Sequence, residues 1–345
     1  MQDTNRTLAP SPSTDHFPRH ARAASTLPDA TIDELDRRAD EFDRNSLAKN
    51  TLRSYRSDWV SWLTFCERHR IKPIPAEPAD VRRYLAQLGG IGGRKGAKLK
   101  PKTAQRHLAA ISAAHRAAAR PFDARHPILK RTMNGIVRTY GARQEGARAL
   151  RAPDIAAICA AVGTRLRSVR NKAIILLGFA GGFRRSEIVA LNVDDLTFEK
   201  GALRVFLRRS KTDQAGEGRT VVIMAGDNST TCAVAAVRIW LKEAKLEHEG
   251  ENPVFRQVRG RHAESTRLSD KTVDRIVKGA CRAAGLKENY SAHSLRAGHV
   301  TEALANGMDR ASVKRQTGHR SDAMLDRYAR ETNLAANNSS SSLGL

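Results

Sequence analysis

The C-terminal stretch over residues 291–328 gathers side chains that could act on a phosphodiester. His293 and Arg296 are three residues apart, so they project from the same face if the segment is a helix. His319 and Tyr328 follow within the same stretch. Cationic and hydrogen-bonding groups can hold a phosphate and its developing negative charge. A tyrosine oxygen held beside them is a competent nucleophile.

Each of these residues also has a structural interpretation. A His-x-x-Arg pair on a helix is usually part of a solvated face. A tyrosine that lies between arginines, as Tyr328 does, is often a packed and half-exposed side chain. Gly318 and His319 fit a helix C-cap followed by a turn. A catalytic interpretation therefore needs partners elsewhere in the chain.

Two further basic residues could provide such partners. Arg184 follows a Gly-Gly pair that ends an apolar segment, and it begins the next predicted helix, three residues before Glu187. In isolation Arg184 could equally form a structural ion pair with Glu187. Lys211 lies in a basic loop between two predicted strands, from which a flexible hairpin could deliver it to a bound ligand. An exposed loop lysine is the default interpretation.

The second half of the chain must position these residues, and it is predicted to be mostly helical. Alternating apolar residues predict the strands Leu203–Leu207 and Thr220–Met224, on either side of the loop that contains Lys211. Apolar residues at helical spacing predict buried helices over Ala173–Ala180, Cys232–Ala244 and Ser269–Ala284.

The first half is predicted to be a compact bundle of four or five helices. The predicted helices include Ser46–Arg70, one with Pro78 in its first turn, Lys102–Arg120 and Ile128–Tyr140. The apolar residues that define these helices are Leu52, Tyr55, Trp59, Trp62, Phe65, Val81, Tyr84, Leu85, Leu88, Leu108, Ile111, Met133, Ile136 and Val137.

These patterns divide the chain into five parts. Residues 1–28 are predicted to be a disordered arm, because they combine Pro, Ser, Thr and His with few large apolar residues. A helical domain over 30–145 and a second domain over 154–330 are joined by a linker over 146–153, and residues 331–345 form a polar tail. The predicted fold class is mainly α: an all-helical N-terminal domain and a mostly helical C-terminal domain with a small antiparallel sheet.

The charge of the chain indicates a polyanionic partner. Its 345 residues contain 60 Lys or Arg against 36 Asp or Glu, which gives a net charge of +24. Between Arg94 and Arg148, fourteen Lys or Arg face only two acids, a net charge of +12. So lopsided a run favours nucleic acid over a merely solvated surface.

Other classes of protein fit the sequence poorly. No apolar run approaches the ~20 residues of a membrane span, and the N-terminus lacks the apolar core of a secretion signal. The four cysteines, Cys66, Cys159, Cys232 and Cys281, have no paired spacing and no zinc pattern. This usage is typical of reduced, mostly buried thiols. We therefore expect a cytoplasmic protein with no membrane partner and no metal site.

Five motifs together resemble those of the tyrosine recombinases, the lambda-integrase family. In the family's order they are Gly-x-Arg-x-Ser-Glu-Ile at 182–188, Ser-Lys-Thr at 210–212, His-Ser-Leu-Arg-Ala-Gly at 293–298, Gly-His at 318–319 and, nine residues later, Tyr328. The catalytic resemblance covers about residues 150–330, and the first half is similar to the family's helical core-binding domain. Within the family, segments 65–88 and 102–115 are most similar to the Cre-like members.

The resemblance implies how the site would hold a phosphate. Arg184 and Arg296 match the two arginines that bind the scissile phosphate and neutralise the charge of its transition state. His293 matches a hydrogen-bond donor to the phosphate that could also accept the proton of the tyrosine. His319 matches a further position that hydrogen-bonds the phosphate.

The resemblance also implies the roles of the remaining matched residues. Tyr328 matches the nucleophile, which forms a 3′-phosphotyrosyl link, and Lys211 matches the lysine that protonates the leaving 5′ oxygen. Glu187 matches an acidic position that supports the site without doing chemistry. Because cations stabilise the phosphorane and the covalent bond conserves the phosphodiester's energy, the scheme needs no metal, nucleotide or other cofactor.

The implied function is site-specific recombination of double-stranded DNA at an inverted-repeat site. A homotetramer on two DNA sites would act through a Holliday junction, in a bacterial, phage or plasmid context at the nucleoid. The alternatives are type IB topoisomerase-like strand relaxation and a DNA-binding regulator that does not cut. All six catalytic positions carry suitable residues, which disfavours the regulator. The tail is short and polar, where the family often carries an apolar helix that docks on a neighbouring subunit.

Five residues are expected to contact DNA, namely Thr51, Arg53, Lys102, Arg106 and Lys271. Arg106 and Lys271 align with positions that approach bases in the Cre-like pattern, and both lie on predicted helices with a basic face. We therefore expect these two side chains to read base edges, and most other basic residues to contact phosphate.

Overall fold

The chain forms two compact units, Met1–Gln144 and Glu145–Leu345. The computed structural model describes residues 31, 33–35, 37–38, 48–90, 100–141, 148–208, 217–247, 250–287 and 289–332. The arm predicted over 1–28 lies outside these residues, and so does the predicted tail beyond Thr332.

The first unit is built from helices whose apolar faces pack together. Its described helices are α1 (Lys49–His69), α2 (Pro78–Gly90), α3 (Pro101–Ala117) and α4 (Pro127–Tyr140). A proline opens α2, α3 and α4, where its missing N–H would have no partner within the helix. Trp62, Leu85 and Ile111 are fully buried in the core. Ile136 is buried on α4, whereas Val137 lies in the last turn of this helix with 36% of its surface exposed.

A buried carboxylate organises a polar network within the first unit. Arg106 donates from Nε and Nη2 to the two carboxylate oxygens of Asp58, at 2.6 and 2.9 Å. His107 Nε2 lies 3.3 Å from the same carboxylate, and its Nδ1 lies 2.8 Å from the hydroxyl of Tyr84. We call Asp58, Tyr84, Arg106 and His107 the Asp58 cluster. It links α1, α2 and α3 through side chains far apart in sequence.

The second unit is mostly helical and contains two small antiparallel sheets. Its described helices are α5 (Ala152–Ala161), α6 (Leu166–Ala180), α7 (Arg185–Ala190), α8 (Ala233–Glu243), α9 (Asp270–Ala283), α10 (Ala292–Ala305), α11 (Arg310–Thr317) and α12 (Asp322–Thr332). Its described strands are β1 (Leu196–Glu199), β2 (Ala202–Leu207), β3 (Arg219–Met224), β4 (Arg256–Arg259) and β5 (His262–Arg267). The predicted fold class is confirmed.

The larger sheet contains the two strands that flank the predicted lysine in the sequence. β2 pairs with both β1 and β3, with Leu203 opposite Ile223 and Val205 opposite Val221. These four side chains are buried, which explains why apolar alternation predicted β2 and β3. The separate β4–β5 hairpin was not predicted, because its strands are rich in charged and polar residues.

The segment that enters the second unit is anchored rather than free. The linker was predicted to extend over 146–153, but Leu150 is fully buried and its N–H donates to the carbonyl oxygen of Ser294 at 3.1 Å. The backbone crosses α10 so closely that a Cβ on Gly298 would lie 1.9 Å from the Leu150 carbonyl oxygen. Helix α5 already begins at Ala152. The predicted linker is therefore too long at its C-terminal end.

The four thiols are buried, as predicted from their scattered spacing. Cys66 lies in the core of the first unit, and Cys159, Cys232 and Cys281 lie in the core of the second. Burial raises the pKa of Cys66 and of Cys281 to about 11, so both remain neutral thiols near neutral pH. None of the described helices is long and apolar enough to cross a membrane.

Candidate active site

The turn between α6 and α7 fixes the first predicted arginine. Gly182 has a φ of +60°, and a Cβ there would lie 2.8 Å from the side chain of Thr317. Arg184 then caps α7: its N–H donates to Glu187 at 2.8 Å and its Nη1 donates to the same carboxylate at 2.6 Å. The side chain of Glu187 is only 1% exposed. The ion pair considered from the sequence is therefore present, and it holds the Arg184 guanidinium in one orientation.

Helix α10 carries the second predicted arginine into the interior. Arg296 is 1% exposed, and its Nη1 donates to the carbonyl oxygen of Gly182 at 2.7 Å. Burial, followed by the nearby charge of Arg184, lowers the pKa of Arg296 to about 10. Arg296 is still a cation at neutral pH, but its charge is held at a cost. Such a group favours the approach of an anion.

The hydrogen bonds of His319 define its tautomer. Arg296 Nη2 lies 3.1 Å from His319 Nε2, and a guanidinium can only donate, so Nε2 accepts. Nδ1 therefore carries the proton and donates to Thr317 Oγ1 at 2.6 Å, and that hydroxyl donates to the carbonyl oxygen of Val313 at 2.6 Å. Burial, and then the charges of Arg296 and Arg184, lower the pKa of His319 to about 3.

Tyr328 is brought to this group by α12. Its hydroxyl lies 3.0 Å from Nε2 of the exposed His293, and its ring lies 6.1 Å from the ring of His319, centroid to centroid. The tyrosine ring packs beside a small buried cluster of Val300, Val313 and Leu325. Packing and catalysis are therefore compatible here: the apolar contacts hold the ring while the hydroxyl lies among basic groups.

Sequence reasoning missed one partly buried arginine at this site. Arg219 opens β3, and its guanidinium lies between Glu187 and the C-terminal end of α11. Its only sequence signal was a basic residue at the start of the strand that returns from the lysine hairpin. We call Arg184, Arg219, Arg296 and His319, together with Glu187, the cationic cluster.

The other predicted site residues are placed as follows. Lys211 lies outside the described residues, between the end of β2 and the start of β3. Thr51 is half-buried on α1, whereas Arg53 on α1, Lys102 on α3 and Lys271 on α9 are exposed. Arg106 is held by Asp58. Their contacts with DNA remain predictions.

The comparison with known proteins agrees with this geometry. The model of the phage integrase family matches residues 148–334, which is more than half of the chain. The chain belongs to the phage integrase family. Like the tyrosine recombinases to which this integrase is similar, it is a DNA breaking–rejoining enzyme. The expected family is therefore confirmed.

Named relatives cover most of this integrase. An integrase/recombinase XerD homologue of Selenomonas ruminantium is 35% identical over 301 residues, which is 85% of each chain. Recombinase Cre of Escherichia phage P1 is 24% identical over 322 residues, covering 88% of this chain and 90% of Cre. Cre is thus one of several similar relatives, and the XerD homologue shares more of the sequence.

The fold of the integrase also resembles that of solved recombinases. A lambda integrase tetramer bound to a Holliday junction has a TM-score of 0.51 and 18% identity, covering 85% of this chain and 75% of that one. At such low identity the likeness concerns the fold alone.

Proposed function

We propose that this protein is a site-specific recombinase in which Tyr328 forms a 3′-phosphotyrosyl bond with DNA. The observation that carries the proposal is the 3.0 Å approach of the Tyr328 hydroxyl to His293, beside the cationic cluster. A tyrosine is a weak nucleophile until a base accepts its proton and cations stabilise the charge on phosphorus. Both requirements are met by side chains within this one unit.

The proposed cleavage step forms one bond to phosphorus and breaks another. The Tyr328 oxygen attacks the phosphorus, His293 accepts its proton, and the bond from phosphorus to the 5′ oxygen breaks. Arg184 and Arg296 offset the negative charge that accumulates on the non-bridging oxygens in the transition state. Rejoining is the same step in reverse, with the 5′ hydroxyl of the same or another strand as nucleophile.

The leaving 5′ oxygen requires a proton, because an alkoxide has a high pKa. We assign this proton to Lys211, which lies between the described strands β2 and β3. Lys211→Ala should bind DNA normally but cleave it slowly. A substrate with sulfur in place of the bridging 5′ oxygen should restore its rate, because a thiolate leaves without a proton. Equally slow cleavage of both substrates would assign Lys211 to phosphate positioning instead.

Strand exchange through a Holliday junction, by a homotetramer on two inverted-repeat sites, completes the proposal. The support is that the family includes site-specific recombinases and that the fold resembles a tetrameric lambda integrase on such a junction. The excess of basic residues favours double-stranded DNA as the partner. Such a substrate would place the protein at the nucleoid in the bacterial cytoplasm.

The proposal is tested with a nicked suicide substrate on a denaturing gel. Wild type should accumulate a covalent protein–DNA adduct, and Tyr328→Phe should form none while its DNA affinity stays within about 3-fold. Tyr290→Phe is the matched control, since Tyr290 is buried in the core of the second unit and should leave adduct formation intact. An adduct that persists in Tyr328→Phe would reject the assignment.

A second assay separates recombination from topoisomerase-like relaxation. A supercoiled plasmid with two copies of the candidate site should yield exchanged products and, with a stalled variant, four-way junctions. Relaxation without exchanged products would instead support the topoisomerase-like activity.

A further inference from the structure

We propose that Arg219 is a positioning residue for the cleavage reaction, which sets the orientation of His319 by holding the C-terminal end of α11. This inference rests on the proposed function for its kinetic consequence, but its structural part can be measured without DNA cleavage. Arg219 has no counterpart among the residues that the sequence motifs identified.

The first observation is the set of carbonyl groups that the guanidinium binds. Nη1 of Arg219 donates to the carbonyl oxygen of Gln316 at 2.6 Å and to that of Arg315 at 3.3 Å, and Nη2 donates to that of Thr317 at 3.3 Å. The last carbonyls of a helix have no partners within it and carry the negative end of its dipole. A cation from another element therefore completes the end of α11.

The second observation is close packing against the turn before His319. Gly318 has a φ of +68°, and a Cβ there would lie 3.1 Å from Arg219 Nε and 3.3 Å from Cζ. The guanidinium thus lies directly against this glycine. The side chain of Thr317, whose carbonyl group Arg219 binds, also accepts the hydrogen bond from the Nδ1–H of His319. A displacement of the turn would move His319 Nε2 away from Arg296.

A competing interpretation is that Arg219 acts mainly on Arg184 through Glu187. The distances decide against it. Arg219 Nη2 lies 3.9 Å from the Glu187 carboxylate, which is beyond hydrogen-bonding range, whereas the carbonyl contacts are 2.6 to 3.3 Å. Glu187 contributes to the electrostatics of Arg219, but the direct hydrogen bonds go to α11.

The burial of Arg219 argues against a purely incidental contact. Its side chain is 20% exposed, and its Nε is buried without a hydrogen-bond partner among the described residues. Burial lowers the pKa of Arg219, so the folded protein holds this cation at a cost. A second contact joins the same elements, since Gln316 Nε2 donates to the Val222 carbonyl on β3 at 3.3 Å. The strand that returns from the lysine hairpin is therefore tied to the helix end that precedes His319.

The test uses the full-length protein with Arg219→Met, Arg219→Lys and the control Arg204→Met. Arg204 is an exposed arginine on β2 of the same sheet, paired with Glu199. At saturating DNA, Arg219→Met should cleave a suicide substrate about 10–100-fold more slowly, because small misplacements of catalytic groups cost about this much. Its DNA affinity should stay within about 3-fold, and Arg204→Met should match wild type.

A double-mutant cycle separates positioning from general damage. If Arg219 acts through His319, Arg219→Met combined with His319→Gln should cleave no more slowly than His319→Gln alone. Rate losses that multiply would overturn the proposal. If Arg219→Met does not fold, the same cycle is run with Arg219→Lys, which keeps the charge but loses the planar fork and should show a smaller loss.

A spectroscopic arm is independent of cleavage. Imidazole nitrogen shifts in ¹⁵N-histidine-labelled protein should show the Nδ1–H tautomer for His319 in wild type, assigned by its loss in His319→Gln. In Arg219→Met that signal should shift or broaden, and in Arg204→Met it should not. An unchanged signal in the folded Arg219 variants would overturn the proposal. Failure of cleavage in wild type, with the expected spectral change, would instead reject the proposed function.

Discussion

The Asp58 cluster and the cationic cluster differ in how their charges balance. In the first unit one buried carboxylate is matched by one arginine. His107 Nε2 lies beside the same carboxylate, and His107 Nδ1 is paired with the Tyr84 hydroxyl. In the second unit Glu187 is the carboxylate that faces three arginines of the cationic cluster. The charges of the Asp58 cluster cancel, whereas the cationic cluster keeps an excess of positive charge.

This difference indicates that the Asp58 cluster is a structural network and that the cationic cluster is a candidate anion-binding site. A carboxylate and an arginine that neutralise each other leave no excess charge to attract an anion. Burial of basic groups, and then the repulsion between their charges, lowers the pKa of each, as it does for Arg296 and His319. An incoming phosphate relieves this repulsion and gains the hydrogen bonds. The arrangement of the cationic cluster therefore favours binding of an anion and lowers the stability of the DNA-free protein.

The largest effect should come from removing a cation of the second cluster. Arg296→Met should slow cleavage at saturating DNA by about 100–1,000-fold, the usual result of losing one group that stabilises transition-state charge. Its stability should change little, because relief of repulsion offsets the lost hydrogen bonds. Single-turnover cleavage and urea unfolding measure the two quantities. A loss of stability as large as that of an Asp58 variant would contradict the proposed difference between the two clusters.

The reverse outcome is expected in the first cluster. Asp58→Ala should lower the free energy of unfolding by about 3 kcal/mol, the low end for a broken buried pair because Arg106 is 45% exposed and can turn to water. Cleavage at saturating DNA should persist. Urea unfolding followed by far-ultraviolet circular dichroism measures this loss of stability. The control Asp80→Ala breaks the pair between the exposed Arg83 and a partly buried carboxylate in the first turn of α2, and it should cost about 1 kcal/mol.

The pH dependence of stability gives a smaller and more specific signal. Because the pKa of His319 falls from 6.5 to about 3 on folding, the unfolded state binds more protons between these values. Its contribution is therefore complete above pH 6.5 and is lost as the pH falls toward 3. Between pH 6.5 and 4.5 wild type should lose about 2 kcal/mol more than His319→Gln. Parallel curves for the two proteins would show that His319 is not held in this environment.

The smallest effect should come from a single exposed lysine. Lys102→Ala should reduce the slope of log affinity against log salt by about 0.9, the release of one counterion per phosphate contact. Its cleavage rate at saturating DNA should equal that of wild type, unlike that of any cationic-cluster variant. DNA affinity measured at several salt concentrations tests this prediction, and an unchanged slope would place Lys102 away from DNA.

Sequence reasoning succeeded where local pattern determines structure. The apolar faces of α1 to α4 follow the helical period, and Ser291 caps α10 just before the His-x-x-Arg pair. The motif residues that the structure describes lie close together because each is at the start, end or inner face of such an element. The strands β4 and β5 escaped prediction because few of their side chains are apolar, so they left no alternation to detect.

The contacts between distant residues could not be predicted. Asp58 and Arg106 are 48 positions apart, and Arg219 binds carbonyl groups about 97 positions away. No spacing rule connects such residues. An arginine that binds backbone carbonyls is especially hard to predict, because its partners have no side-chain identity. The resemblance to a family supplied the candidate catalytic residues and the supporting Glu187, but not Arg219.

The crossing of Leu150 over Gly298 has a consequence for protein engineering. A chimaeric protein that joins a different first unit to this second unit would need a splice point near the boundary at Gln144 and Glu145. In this protein a graft that replaces Leu150 or Arg151 would remove a fully buried side chain or the ion pair with Glu302, which lies on the helix that carries His293 and Arg296. Splice points should therefore lie before residue 148. Gly298 must also be kept, because a Cβ at this position would collide with the Leu150 carbonyl oxygen.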